Sequence, residues 1–146
     1  MNKKRTATVY LLFVSAVFCT SVFAEDELTD YQFKHRIIII DMASGSNEQI
    51  IQSQLDNSAR ALDDRRLLVW GINNSSVQAL HGSGPFLTQR TVKTLNNSLA
   101  GKAVYLIGLD GGIKADYDEF NLAKIFADID RMPMRKAELR AIQGFN

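Results

Sequence analysis

Four consecutive isoleucines stand at the centre of the stretch Lys34-His35-Arg36-Ile37-Ile38-Ile39-Ile40-Asp41. Successive side chains of a β-strand point to opposite faces of the sheet, so this run cannot keep one face in water. A short β-branched run with charged residues at both ends is typical of a strand buried on both faces. Such a strand lies inside a parallel or mixed sheet and needs helices on both sides. The stretch therefore predicts an α/β fold around a strand over Arg36–Asp41.

The first 24 of the 146 residues have the pattern of an export signal. The basic start Asn2-Lys3-Lys4-Arg5 precedes an apolar segment over residues 9–17, which is too short to span a bilayer comfortably. Val22-Phe23-Ala24 fits a cleavage site, and an uncleaved anchor is the alternative. We expect a periplasmic or secreted protein with no stable membrane anchor, divided into a cleaved signal peptide (1–24), a polar leader (25–33) and one domain (34–146).

Composition excludes several classes of function. Cleavage would remove Lys3, Lys4 and Arg5 and leave 122 residues with 14 Lys and Arg against 16 Asp and Glu, a net charge of −2. A chain without a basic excess is not expected to bind nucleic acid. The single cysteine, Cys19, lies inside the predicted signal, so the mature domain would carry no thiol. Thiol catalysis and disulfide exchange are thereby excluded, and the domain must be held together by its apolar core.

Hydrophobic periodicity predicts the other elements. Ser46-Asn47-Glu48-Gln49 fits a capping box with the Ser46 hydroxyl as the cap of a helix that ends near Asp63-Asp64. We expect the leader to pack through Tyr31 and Phe33. The remaining predictions are a second buried strand (67–72) parallel to the first, an irregular loop (73–85), a helix (86–99), a third strand (103–109), a hairpin turn at Asp110-Gly111-Gly112, a returning strand (113–117), a helix with an apolar stripe at Leu122, Ile125, Phe126 and Ile129, and a last helix from about Met134 to Ile142.

This order of elements predicts a thioredoxin-like three-layer sandwich. Two parallel strands joined through a helix are followed by an antiparallel hairpin and a closing helix. The central sheet is therefore expected to be mixed, with helices on both faces.

Three segments also resemble a known family. They are Lys34-His35-Arg36, residues 106–114 (Leu-Ile-Gly-Leu-Asp-Gly-Gly-Ile-Lys) and residues 130–138 (Asp-Arg-Met-Pro-Met-Arg-Lys-Ala-Glu). With them the chain resembles domain of unknown function 4174, which also occurs in vertebrate matrix proteins with sushi repeats. The most specific mark is Met132-Pro133-Met134-Arg135 followed by Glu138. The resemblance implies a thioredoxin-like, peroxiredoxin-related fold and no established activity.

The turn after the first strand is the first candidate for a site. Thioredoxins carry their redox cysteines at this position, where a helix N-terminus favours a thiolate or an anion. This chain has Ser44, Gly45 and Ser46 there, which could bind an anion but have no redox couple. The plainer interpretation is that Ser46 caps the helix. Many family members have Ala-Pro in this turn, so a role that depends on a rigid proline is not expected from Met42-Ala43-Ser44.

Arg135 is the second candidate, as part of a basic cluster with Arg131, Lys136 and Arg140 that could bind an acidic partner. The alternative is a solvated helix face with local ion pairs to Asp130 and Glu138. Met132 and Met134 could contact a partner or fill the core.

Other motifs predict no cofactor and no metal. His35 and His81 share no metal-ligand spacing. Asp110-Gly111-Gly112 lacks the residues of a phosphate or calcium loop, so we expect a hairpin turn there.

The leading hypothesis is a non-catalytic exported module that binds an unknown protein or another envelope component. The first alternative is an enzyme with non-thiol chemistry at Ser44, Gly45 and Ser46, using Asp41 and Arg36. The second is a small-ligand binder in the loop over residues 73–84.

Overall fold

A computed structural model of the chain describes residues 26–42, 47–73, 76–84, 97 and 101–144. In chain order the helices and strands are α1 (Asp26–Thr29), β1 (Arg36–Asp41), α2 (Glu48–Asn57), α3 (Ala59–Asp64), β2 (Leu67–Ile72), β3 (Val77–His81), β4 (Val104–Ile107), β5 (Ile113–Tyr117), α4 (Leu122–Arg131) and α5 (Pro133–Gln143). The α/β class predicted from the sequence is confirmed.

The strands form one mixed sheet in the order β3-β2-β1-β4-β5. β1 pairs with β2 in parallel, Ile38 opposite Val69, and with β4 in antiparallel register, Ile38 opposite Leu106. β4 and β5 form the predicted antiparallel hairpin. The isoleucine run therefore occupies the middle of the sheet, as predicted.

The four isoleucines divide between two apolar cores. Ile38 and Ile40 pack on the face covered by α2, α3 and α4, whereas Ile37 and Ile39 pack on the other face with Trp70, Leu28 and Tyr31. None of the four isoleucines is more than 2 % exposed. Burial of β1 on both faces is confirmed.

The helix after β1 begins differently from the prediction. Its N-cap is Asn47 rather than Ser46, because the Asn47 side chain accepts a hydrogen bond from the backbone amide of Ile50 at 3.3 Å. The predicted single helix is also divided at Ser58 into α2 and α3. Ile51, Leu55 and Leu62 face the core, whereas Ile50 is 55 % exposed.

We expect Asn47→Ala to lower the free energy of unfolding by about 1 kcal/mol, because the amide of Ile50 loses its acceptor. Asn47→Gly should cost only a few tenths of a kcal/mol, since glycine is tolerated at this position. Urea unfolding of the three proteins measures both effects. Equal stability of Asn47→Ala and the unchanged chain would contradict the assignment of this cap.

The irregular loop predicted over residues 73–85 is wrong for its central part, which forms β3. The chain reverses after β2 where Asn73 accepts a hydrogen bond from the amide of Ser76 at 2.9 Å, and Val77–His81 then pairs with β2 in antiparallel register. β3 is an edge strand with little burial. Its sequence, Val-Gln-Ala-Leu-His, does not keep a regular alternation of apolar and polar residues, so pairing with β2 stabilises it rather than its own periodicity.

The carboxyl-terminal half of the prediction is largely confirmed. Gly111 has φ +79° in the predicted hairpin turn. Leu122, Ile125 and Ile129 form the buried stripe of α4, and Pro133 begins α5. The helix predicted over residues 86–99 lies outside the described residues, except for Asn97, which is helical.

The predicted polar leader is partly structured. It contains α1, and the ring of Tyr31 packs edge-on against Trp70 with 5.0 Å between ring centroids. The expected packing of Phe33 is wrong, because this side chain is 62 % exposed.

Candidate functional site

An ion-pair network lies where β1 begins, beside the turn between α3 and β2 and the junction of α4 with α5. It joins four arginines and three carboxylates: Arg36, Arg65, Arg66, Arg135, Asp64, Asp130 and Glu138.

Glu138 is the centre of this network. Its carboxylate accepts hydrogen bonds from both terminal nitrogens of Arg36, at 3.1 and 3.3 Å, and from Arg66 and Arg135. Arg36 is 1 % exposed and Glu138 is 19 % exposed. Burial would raise the pKa of Glu138, but hydrogen bonds from Arg36 and Arg66 outweigh it and hold that pKa below its usual value. Glu138 is therefore ionised at neutral pH.

Arg135 is buried, at 2 % exposure, rather than part of a solvated helix face. It donates to the carboxylate of Asp64 and, at 2.8 Å, to the Asp64 carbonyl oxygen. Burial would lower the pKa of Arg135, but the contacts with Asp64 outweigh it and raise that pKa. The predicted ion pairs with Asp130 and Glu138 are present, at 3.5 and 3.4 Å.

Arg65 fixes the network to α4. Its guanidinium donates two hydrogen bonds to Asp130, at 2.6 and 3.1 Å, and lies 4.5 Å from the ring centroid of Phe126. The carbonyl of Arg65 in turn accepts a hydrogen bond from Arg36 at 2.9 Å. The network thus holds α3, the turn before β2, α4 and α5 around Arg36, the first residue of β1.

A cavity of about 240 Å³ opens beside Arg36. Its walls come from three parts of the chain that are distant in sequence. The lining residues are Arg36, Gly108, Leu109, Asp110, Lys114, Met132, Pro133 and Met134.

The wall of the cavity is mainly apolar, and its exposed charges are paired. Lys114 donates to the Asp110 carboxylate at 2.5 Å. This hydrogen bond, with the backbone amide of Gly112, holds the pKa of Asp110 below its usual value, so Asp110 is ionised and is no proton donor at neutral pH. A Cβ at Gly108 would lie 2.6 Å from Cε of Lys114, so any other residue there would require the Lys114 side chain to move. The arrangement suits binding of an apolar group better than proton transfer.

The sequence model of the family described as Domain of unknown function (DUF4174) matches residues 27–138. The chain belongs to this family. No curated protein and no solved structure matches it. The DUF4174 match includes every residue that lines the cavity and ends at Glu138, the centre of the ion-pair network.

The three segments that carry the DUF4174 resemblance meet at this cavity. The first contributes Arg36 and the second contributes Gly108, Leu109, Asp110 and Lys114. The third contributes Met132, Pro133 and Met134. The sequence predicts a strand and a hairpin turn in the second segment, and candidate partner contacts at Met132, Met134 and Arg135 in the third, but it does not place a cavity among the three segments. The signal was the resemblance itself, because its three segments share one wall in the folded chain.

The predicted site at Ser44, Gly45 and Ser46 lies outside the described residues and stays a prediction. It follows the carboxyl end of β1, whereas Arg36 lies at the opposite end of that strand. The expected cooperation of Asp41 with Arg36 is wrong, because the two residues stand about 17 Å apart along the strand. Arg135 contributes to the network but does not line the cavity. Its role as a binding residue stays a prediction.

The remaining candidates give no further site. His81 lies on β3 rather than in a loop, and its Nε2 contacts the Asp63 carboxylate at 2.9 Å. Within residues 26–42, 47–73, 76–84 and 101–144, no three His, Cys, Asp or Glu side chains are grouped to hold a metal ion. In the same part of the chain, no helix has the length and apolar character needed to cross a bilayer.

Proposed function

We propose that this DUF4174 domain is a non-catalytic, exported binding module with a thioredoxin-like core. It binds a protein or another envelope component through the cavity beside Arg36. The observation that carries the proposal is the cavity itself, where three distant segments build an apolar wall around fixed, paired charges. Ligand sites of proteins are typically concave and mostly apolar, with a few placed polar groups.

The order of the strands supports the thioredoxin-like part of the proposal. The core β2-β1-β4-β5 has a parallel pair joined through helices, followed by an antiparallel hairpin and a closing helix. β3 extends this core beyond β2. Cys19 is the single cysteine, so a domain cleaved after residue 24 would have no thiol with which to run thioredoxin chemistry.

The amino-terminal pattern supports the export part of the proposal. A basic start, a short apolar segment and a fitting cleavage site precede the domain. In the periplasm or outside the cell, the partner would be a protein or another envelope component.

Met134→Asp tests the binding role, because Met134 lines the cavity and is 44 % exposed. Ile142→Asp is the matched control: Ile142 lies on the same helix, is 56 % exposed and does not line the cavity. Each protein is immobilised and incubated with envelope extract, and bound components are identified by mass spectrometry. We expect at least one component to be retained by the unchanged chain and by Ile142→Asp, and about tenfold less by Met134→Asp.

Equal retention by the two aspartate variants would contradict a role of the cavity. Turnover of a disulfide or a peroxide by the purified domain would contradict the non-catalytic assignment. The intact mass of protein recovered from the envelope fraction checks export, since loss of residues 1–24 is expected.

A further inference from the structure

The side chain of Phe33 is held in water by a strained backbone. It is 62 % exposed, and its φ of +61° is unfavourable for a bulky residue. Its backbone amide donates to the Leu109 carbonyl at 2.6 Å, and the Gln32 side chain beside it donates to the Asp110 carbonyl at 2.7 Å. Such strain persists only where the surrounding structure imposes it, and it is common at functional sites. The fold therefore fixes an aromatic residue at the surface rather than burying its ring.

Phe33 adjoins the cavity beside Arg36 but does not fill it. Leu109, which accepts the hydrogen bond from the Phe33 amide, is one of the lining residues, and Phe33 is not. An exposed ring and an apolar cavity are thus neighbours on the surface of the chain.

The cavity suits a phenyl ring in size and chemistry. Its volume is about 240 Å³, and an apolar cavity of about 150 Å³ is large enough to bind benzene. Met132 and Met134 line it, and thioether sulfurs make favourable contacts with aromatic rings. The Lys114 ammonium is paired with the Asp110 carboxylate, so a neutral ring would leave no charge of this pair uncompensated.

Exposed apolar side chains are concentrated around the cavity. Among the described residues, five large apolar side chains are exposed: Phe33, Ile50, Ile113, Met134 and Ile142. Ile113 precedes the lining residue Lys114, and Met134 is itself part of the wall. With Phe33, three of the five adjoin one opening. Exposed apolar surface that is gathered in one place marks an interaction site.

We infer that the partner is a second copy of this chain, and that Phe33 of each copy enters the cavity of the other. A two-fold dimer joins identical patches, so each patch must present both a projection and the cavity that receives it. Phe33 and the cavity meet this condition because they are neighbours on one surface. The charges at the opening permit it as well, since Asp110 and Lys114 form a neutral pair and two such surfaces do not repel each other. This inference rests on the proposed binding role and names the partner.

Sedimentation equilibrium of the purified protein tests the association. Across a concentration series we expect the mass to rise from one chain to two and no further. Phe33→Asn should raise the dissociation constant of the dimer at least tenfold, because a buried aromatic anchor commonly dominates an interface. Ile50→Asn is the matched control: Ile50 is 55 % exposed on α2 and does not line the cavity, so the dissociation constant should be unchanged. A monomer at every concentration would overturn the inference, and so would growth beyond two chains or equal dissociation constants for the two variants.

Asparagine at position 33 separates the interface from the fold. Asparagine is tolerated at positive φ, so Phe33→Asn should not destabilise a single copy. Urea unfolding, at concentrations where the unchanged chain is monomeric, should give a midpoint for Phe33→Asn that is no lower than that of the unchanged chain. A lower midpoint would show that the ring packs within its own copy and would contradict its role in the dimer.

Introduced cysteines locate the contact. Cys19 is the single cysteine of the chain, so Cys19→Ser gives a background without thiols. In that background, Phe33→Cys and Met134→Cys variants mixed under oxidising conditions should form a disulfide-linked dimer, because position 33 of one copy would reach the cavity wall at position 134 of the other. One Phe33 and one unchanged cavity still join such a mixed pair. Phe33→Cys mixed with Ile142→Cys should not cross-link, and equal cross-linking of the two mixtures would overturn the inference.

Failure of this inference is separable from failure of the proposed function. If the protein is monomeric at every concentration, but Met134→Asp still loses a component captured from envelope extract, the partner is a different molecule and the binding role stands. If Met134→Asp and Ile142→Asp capture components equally, the binding role itself is wrong.

Discussion

Glu138→Gln is expected to lower the free energy of unfolding by about 3 kcal/mol, because it removes the charge that compensates a buried arginine. Arg36 is 1 % exposed, so water cannot replace the lost carboxylate. Removal of one partner from a buried ion pair typically costs 3–5 kcal/mol. Glu138 keeps 19 % exposure, which places the expected cost at the lower end of that range. Denaturant unfolding of the two proteins measures the difference.

Asp118→Asn is the control for the loss of an ion-paired carboxylate. The contact of Asp118 with Lys102, at 2.6 Å, is shorter than the contacts of Glu138 with Arg36, but Asp118 is 82 % exposed. Ion pairs in water are screened and contribute little, so we expect no measurable change in stability. Equal losses in Asp118→Asn and Glu138→Gln would show that burial does not set the strength of the network.

The contribution of Glu138 also depends on pH in a defined direction. Its pKa is lowered in the folded chain, so its stabilising effect is fully present above the unfolded value of about 4.3. The effect is lost as the pH falls through the folded pKa, where the carboxylate becomes protonated. The stability difference between the unchanged chain and Glu138→Gln should therefore shrink below about pH 4. A difference that stays constant down to pH 2 would contradict the ion-pair explanation.

Ile38→Ala and Ile39→Ala are each expected to lower the free energy of unfolding by about 3 kcal/mol, although they point to opposite faces of the sheet. Ile38 is fully buried in one core, and Ile39 is 1 % exposed in the other. Truncation of a buried isoleucine removes apolar burial and leaves a cavity, at a typical cost of 2–5 kcal/mol. Chemical denaturation of both variants measures the two cores separately.

Ile113→Ala is the matched control on an edge strand. Ile113 is 54 % exposed on β5, so its truncation should change stability by no more than about 0.5 kcal/mol. If Ile39→Ala were as mild as Ile113→Ala, the face of the sheet that holds Trp70 would not be a packed core.

The parts of the fold that the sequence predicts are those with buried periodic residues. The isoleucine run, the strand Leu67–Ile72 and the stripe of α4 all follow from apolar spacing, because burial dictates residue type there. β3 could not be found in this way, since an edge strand is held by its neighbour's backbone and its side chains remain partly in water. The cap at Asn47 was missed because Ser46 beside it fits the same motif.

The candidate site could not be assembled from spacing along the chain. Arg36 and Glu138 are 102 residues apart, and no local pattern links a strand's first residue to a helix that far along. Burial of Arg135 was equally hidden, because its sequence neighbours Lys136 and Arg131 are charged and suggest a solvated face. Only the family resemblance linked the three segments, and it did so without giving their geometry.

The distance between Arg36 and Glu138 along the chain bears on how the protein is made. The ribosome must add 102 residues after Arg36 before Glu138 exists. Until then, burial of Arg36 at the start of β1 would leave its guanidinium without the carboxylate that pairs with it in the folded chain. A chain arrested before residue 138 should accordingly stay open to proteases and chaperones, as the proposed export across a membrane would require.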